Sequence, residues 1–148
     1  MSLALDAMGG DHAPAEIVAG AVLAAPLVHH TITLVGDPNA ISKHLPSPCP
    51  HNIQIHPASQ VIEMEDKPLD AIRKKKDSSL VVAANLVKDG HAAAMISAGN
   101  TGAATAASLL SWRQMSGIHR PAIASMMPNK YGGFVLLDAG ASPDVDPE

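Results

Sequence analysis

The sequence predicts an α/β domain with a mostly parallel sheet flanked by helices, and three observations carry that expectation. Short apolar runs of strand length alternate with longer stretches of helical periodicity. Polar, glycine-bearing loops follow the apolar runs, at the strand ends where ligands bind in parallel sheets. Aromatic residues make up only 2% of the chain against 47% hydrophobic residues, so the core must be built from Ala, Val, Ile, Leu and Met, which suits helices packed closely on a sheet.

The elements follow in order. Leu3 to Leu5 reads as a buried strand ending at Asp6. Pro14 to Ala25 reads as a helix with Ile17, Val18, Ala21, Val22 and Ala25 on one face; Pro14 suits its first turn and Pro26 stops it. "TITLVG", Thr31 to Gly36, is a second strand closed by "GDPN", with a short helix after it to about Lys43. "HLPSPCPHN" is a proline-rich surface loop, and "IQIHPA" is a brief third strand. Two helical pieces follow, Pro68 to Lys75 and Ser79 to Lys88, the second capped by Ser78 or Ser79, packed through Leu80, Ala84 and Val87, and ended by Gly90. Ala92 to Ser97 is the fourth strand, and a helix runs from Thr101 to about Gln114. "PAIASMMP" and "GGFVLLDAG" read as strands joined by "NKYGG", a turn suited to an antiparallel hairpin. After Asp138 the chain enters a Gly/Ser/Pro/Asp loop and stops at Glu148, where a βα unit would continue into its helix; the expectation is a fragment of a longer protein.

Composition narrows the function classes. A net charge of −4 without a basic stripe interleaved with aromatics argues against nucleic-acid binding. The single cysteine, Cys49, forbids an internal disulfide and points to a reducing, cytoplasmic compartment; it lies between Pro48 and Pro50 with no base to activate it as a nucleophile. The start "MSLALDAMGG" lacks the features of a secretion signal, and the longest apolar stretch, Ile17 to Val28, is too short to cross a bilayer. His29, His30, His44, His51 and His56 form no HExxH pair and have no matching acid or Cys spacing, so no metal is expected. Trp112, on a helix, reads as a packing residue.

Three stretches carry the candidate chemistry. In "ISAGNTGA", small residues let a backbone approach a ligand, and amides around Asn100 to Gly102 would form a helix N-terminus that attracts anions such as phosphate. Equally, Asn100 or Thr101 caps the helix and the glycines make a tight turn. No GK[ST] or GxGxxG accompanies the loop. In "DAMGGD", Asp6 could orient a ligand hydroxyl, bind a hard cation or accept the loop's own amide hydrogens, while Asp11, ahead of Pro14, reads as a helix cap. "RKKKDSS", Arg73 to Ser79, either grips a phosphate or an acidic partner, or is a solvated helix end.

Taken in order, "LDAMGGDHAPAEIVAGA", "VIEMEDKPLDAIRKKKDSSLVVAANLVKDG", "ISAGNTGA", "GIHRPAIAS" and "GGFVLLDAGA" resemble the bacterial phosphate acyltransferase of phospholipid synthesis, the acyl-ACP:phosphate transacylase, from Leu3 to about Asp144. The resemblance implies a three-layer α/β sandwich shared with phosphotransacetylases and isocitrate or isopropylmalate dehydrogenases. It implies transfer of a long-chain acyl group from acyl carrier protein to inorganic phosphate, no cofactor, a homodimer, and a cytoplasmic enzyme associating peripherally with the inner face of the membrane. Residues 1–148 are then the N-terminal part of a single acyltransferase domain, with the C-terminal half absent. Carried over, Ser97, Gly99, Asn100, Thr101 and Gly102 are the phosphate cradle, with Asp6, Gly9 and Gly10 lining the same cleft; Asn100 and Asp6 are the candidate catalytic residues. Lys74, Lys75 and Lys76 are candidate contacts for the acidic carrier protein or phosphate. The family reads "GAN" followed by Val and Asp near the end of this stretch, whereas Ser142 and Pro143 follow Gly140 and Ala141 here, with Asp144 retained. Two alternatives stand beside this reading: a noncatalytic phosphate- or nucleotide-binding module, and a short-chain phosphotransacetylase.

Overall fold

Four strands, β1 (Ser2–Asp6), β2 (Thr31–Gly36), β3 (Ile53–Pro57) and β4 (Ala94–Ile96), form one parallel sheet in the order β3-β2-β1-β4. The structure, a computed structural model, describes residues 1–117 and 122–137. β1 pairs with β2 in the register Ser2 to Thr31 through Asp6 to Val35, and with β4 from Leu3–Ala94 to Leu5–Ile96. The chain steps from β1 through β2 to β3 on one side, then crosses back to place β4 on the other side of β1. The direction of winding therefore reverses between β1 and β4, the topological switch point of the sheet.

Helices cover both faces, giving three layers. α1 (Ala15–Ala24) continues into a 3-10 turn at Ala25–Leu27, where Pro26 supplies no N–H to extend the helix. Val18, Ala21 and Ala25 pack on Ile32 and Leu34 of β2 and on Ile53, with Ile17 and Val22 half-buried beside them. α2 (Pro38–Ser42) adds Ile41 to this layer, its N-terminus capped by the Asp37 carboxylate, which accepts from Asn39 N at 2.9 Å. On the opposite face α4 (Ser79–Lys88) lies against Ala4 and Val35, with Ala83, Ala58 and Ala92 closing the contact. Alanines at these positions let helix and sheet approach closely. α3 (Pro68–Lys74) and α5 (Thr101–Trp112) pack on the outer side of α4 through Ala71, Ile72, Leu80, Val81, Ala84, Ala103 and Ala107. Trp112, exposed at the end of α5, donates its indole N–H to Ala84 O at 3.0 Å.

Differences from the sequence reading are local. β4 is three residues long rather than six because Ala92 N turns back to Leu86 O at 2.9 Å and the Ser97 hydroxyl is drawn into the following loop. α5 ends at Trp112 because Arg113 takes a left-handed backbone, φ 64°. Asp11 is not the cap of α1: that helix begins after Pro14 with no side-chain cap, and the carbonyls of Gly10 and His12 accept the N–H groups of Ala13 and Glu16. Ser78 does cap α4, accepting from Val81 N at 3.4 Å.

The chain divides into two compact units, Met1–Trp112 and Arg113–Glu148. In the second, β5 (Ala124–Asn129) and β6 (Gly132–Leu137) form the expected antiparallel hairpin around Lys130 and Tyr131. The loop "DAGASPD", with Ser142 and Pro143, lies outside the described residues. Among the described residues no helix is long and apolar enough to cross a membrane.

Candidate functional site at the sheet switch point

The loops leaving β1 and β4 meet where the winding reverses, and a buried carboxylate joins them. Asp6, 1% exposed, ends β1; its Oδ1 accepts from Met8 N at 3.2 Å and its Oδ2 from Ser97 Oγ at 2.7 Å. Ser97 Oγ in turn accepts from Gly99 N at 3.1 Å. Both oxygens of Asp6 and the Ser97 hydroxyl are thus engaged in holding the two loops against each other. Of the roles open to Asp6 from sequence, accepting the loop's own amide hydrogen is the one this geometry displays.

The glycines make that approach sterically feasible. A Cβ on Gly9 would collide with Asp6 Oδ2 and lie 3.0 Å from Gly99 N, and one on Gly99 would lie 3.1 Å from Gly9 Cα. Gly10, at φ +113°, turns against Ala98 O. Gly102 has a different reason: a Cβ there would lie 2.7 Å from Pro68 Cγ, so the missing side chain lets α5 pass over the start of α3.

Asn100, 7% exposed, is held by the protein at both ends of its carboxamide. Its Oδ1 accepts from Ala103 N at 2.9 Å, capping α5. Its Nδ2 donates to Glu63 O at 3.2 Å and to Met64 O and Asp66 O at 3.1 Å each. The carboxamide is therefore occupied by the protein, while the first-turn amides of Thr101 and Gly102 have no carbonyl within the helix to bond. Thr101 is exposed at this end.

Residues 59–66, between β3 and α3, form a strap that Asn100 shares with two other anchors. Ser59 donates both its N–H and its hydroxyl to Asp77 Oδ2, and Gln60 N donates to Asp77 O at 3.1 Å. Lys75 Nζ donates to Val61 O at 2.8 Å and forms an ion pair with Asp66. Its hydrogen bond, together with that from Glu63 N, holds the Asp66 carboxyl below the usual carboxylate range; the Ser59 hydroxyl and N–H do the same for Asp77. Of the three cations, then, Lys75 is committed internally while Lys74 and Lys76 are exposed. Sequence reasoning missed Asp66, Asp77 and the strap. The local signal was present in "EMED", where an Asp three residues after Glu63 can fold back on the backbone.

Between the strap and the β1 loop lies a cleft of about 350 Å³, walled by Met8, Gly10 and Asp11 on one side and Ile62, Met64 and Glu65 on the other. Among the described residues no group of three or more His, Cys, Asp and Glu side chains could hold a metal ion.

A parallel α/β unit with helices on both faces and a cleft beside the loop that leaves β1 defines the class: a three-layer α/β domain whose sheet has a topological switch point between β1 and β4. The chain belongs to the family described as fatty acid synthesis protein, which it matches over residues 1–148. It is 51% identical over 149 residues to a phosphate acyltransferase of Desulfitobacterium hafniense, with all of this chain and 45% of that protein covered. It is 53% identical over 150 residues to a phosphate acyltransferase of Heliobacterium modesticaldum (99% of this chain, 45% of that one). With the phosphate acyltransferase of Brevibacillus brevis the identity is 50% over 151 residues (99% and 44%). The chain thus spans a little under half the length of these relatives.

Proposed function

We propose that the chain is the N-terminal part of an acyltransferase that moves a long-chain fatty acyl group from acyl carrier protein to inorganic phosphate, forming acyl phosphate for phospholipid synthesis. The observation that carries this reading is the loop pair at the switch point, Asp6–Ser97–Gly99, which holds the loop before α5 against the β1 loop whose Gly10 and Asp11 line the cleft, in a chain whose relatives are named phosphate acyltransferases. A phosphate oxygen must attack the thioester carbonyl, forming the new P–O–C bond as the C–S bond breaks and the thiolate departs. The site must hold a dianion and stabilise the tetrahedral oxyanion, which positioning and fixed N–H donors can supply without a protein nucleophile.

In this reading the exposed Thr101 and the N–H groups of Thr101 and Gly102 face the phosphate. Asp6, Ser97 and Asn100 shape the cradle, because their polar side chains are already engaged within the protein, and Gly9, Gly10 and Gly99 shape it by letting the loop backbones approach. Lys74 and Lys76 remain available for the acidic carrier protein. Homodimer formation and peripheral attachment at the inner membrane face belong to the same proposal. Incubating the full-length protein with acyl carrier protein bearing a long acyl chain, together with phosphate, should release acyl phosphate. No product above background, or a preference for acetyl-CoA, would refute the reading.

A further inference from the structure

We infer that Lys75 is a positioning residue that fixes the 59–66 strap, one wall of the switch-point cleft, and through Asn100 the start of α5. The inference rests on the proposed reaction and concerns a residue that never touches substrate in it. The strap has little packing to hold it: Glu63, Met64 and Glu65 are exposed, and Ile62 is its one deeply buried apolar residue. Its course over the strand ends is therefore set by polar anchors. Asp77 holds the near end at Ser59 and Gln60, and Asn100 holds the far end at Glu63, Met64 and Asp66. Lys75 ties the two together, because one ammonium reaches Val61 O before the bend and the Asp66 carboxylate after it.

The consequence extends beyond the strap. Asn100 grips the strap with its amide nitrogen and caps α5 with its amide oxygen, so one planar group couples the strap's position to the first turn of that helix. A strap that loses the Lys75 tie shifts its share of the cleft wall and pulls on the cap at Thr101 and Gly102. The cleft and the phosphate cradle are then disturbed together, although Lys75 belongs to neither.

The test uses Lys75→Met, which keeps the aliphatic stem, Asp66→Asn, which keeps the shape, and the double variant, all in the full-length protein with acyl phosphate formation as the assay. Each single variant should raise the KM for phosphate, Lys75→Met by about tenfold, and the double variant should be no worse than Lys75→Met, which already severs both the Asp66 pair and the Val61 bond. Hydrogen exchange at Glu63 and Asp66 should quicken while α1 is unaffected. Unchanged KM values, or additive effects in the double variant, would overturn the role even if thermal stability falls. Should Lys75→Met not fold, Asp66→Asn alone decides the question by the same KM reading. Wild-type protein that makes no acyl phosphate removes the proposed reaction and this inference with it; active wild type with unaffected variants removes the inference alone.

Discussion

Ser97 and Asp6 stand 91 residues apart in the chain and are joined by a 2.7 Å hydrogen bond, the hydroxyl donating to Oδ2 of a carboxylate that is 1% exposed. The bond closes the gap between the ends of β4 and β1, and the Gly99 N–H extends it into the turn before α5. Asp6→Ala removes the acceptor for both Ser97 and Met8 N–H, and leaving such groups unpaired in a mostly buried place costs about 1–3 kcal/mol. Urea denaturation should show a lower midpoint at unchanged slope. Asp6→Asn, with one acceptor oxygen for two donors, should fall between wild type and Asp6→Ala. An Asp6→Ala midpoint equal to wild type would mean that the link carries no stability.

What the sequence disclosed about this arrangement depended on how local each signal was. Thr31–Gly36 and Ser79–Lys88 match their expected bounds because a β-branched run closed by Gly36, and a Ser78 cap with Gly90 beyond, act within a few residues. The strand order β3-β2-β1-β4 is a matter of pairing between distant segments and left no local trace. Asn100 was visible both as a cap and as a ligand contact. The three carbonyls that occupy its amide nitrogen come from 34 to 37 residues away, so only the fold brings them to it. Lys75 looked like one of three equivalent cations until the loop between β3 and α3 folded Asp66 back onto it.

Asn100 yields a prediction that ordinary capping preferences get wrong. Asn and Asp are about equally good helix N-caps, so a residue serving only as a cap should tolerate Asn100→Asp. Here the substitution keeps the acceptor for Ala103 N but sets a carboxylate oxygen against the carbonyls of Glu63, Met64 and Asp66. Asn100→Asp should therefore destabilise at least as much as Asn100→Ala, both by about 2–3 kcal/mol, the sum of a lost cap and unpaired buried groups. Thermal unfolding of the two variants side by side checks it. An Asp variant close to wild type would show that the strap contacts contribute nothing.

Two glycine-to-alanine substitutions should move stability in opposite directions. At Gly9 the new methyl group meets Asp6 Oδ2 and the Gly99 amide, so the loops must separate, at a cost of about 1–3 kcal/mol. At Gly20, in the middle of α1, nothing lies within 4 Å of the added Cβ, and exchanging the poorest non-proline helix former for the best should stabilise by about 0.5–1 kcal/mol. Melting temperatures compared with wild type give both signs. A stabilising Gly9→Ala would mean that the two loops do not approach as closely as the glycine pair allows.

Acid should loosen the strap before it reaches the core. Asp66 is held below the usual carboxylate value of about 3.9 by the Lys75 ammonium first and the Glu63 N–H second, and Asp77 by the Ser59 hydroxyl first and its N–H second. Because each folded-state pKa lies below the unfolded one, the unfolded chain takes up these protons first as pH falls. The stabilising contribution is fully present above about pH 4–5 and is lost as pH drops through the lower, folded values. Hydrogen exchange across residues 59–66 should therefore quicken below about pH 4. Asp77→Asn should begin with faster exchange at neutral pH at the Ser59 end and show a shallower acid response. Salt separates the two anchors: about 1 M salt screens the half-buried Lys75–Asp66 ion pair but leaves the hydrogen bonds of Ser59 to Asp77 largely intact. Raising the salt at pH 7 should thus speed exchange near Glu63 and Asp66 more than near Ser59, and equal acceleration at both ends would contradict separate anchors.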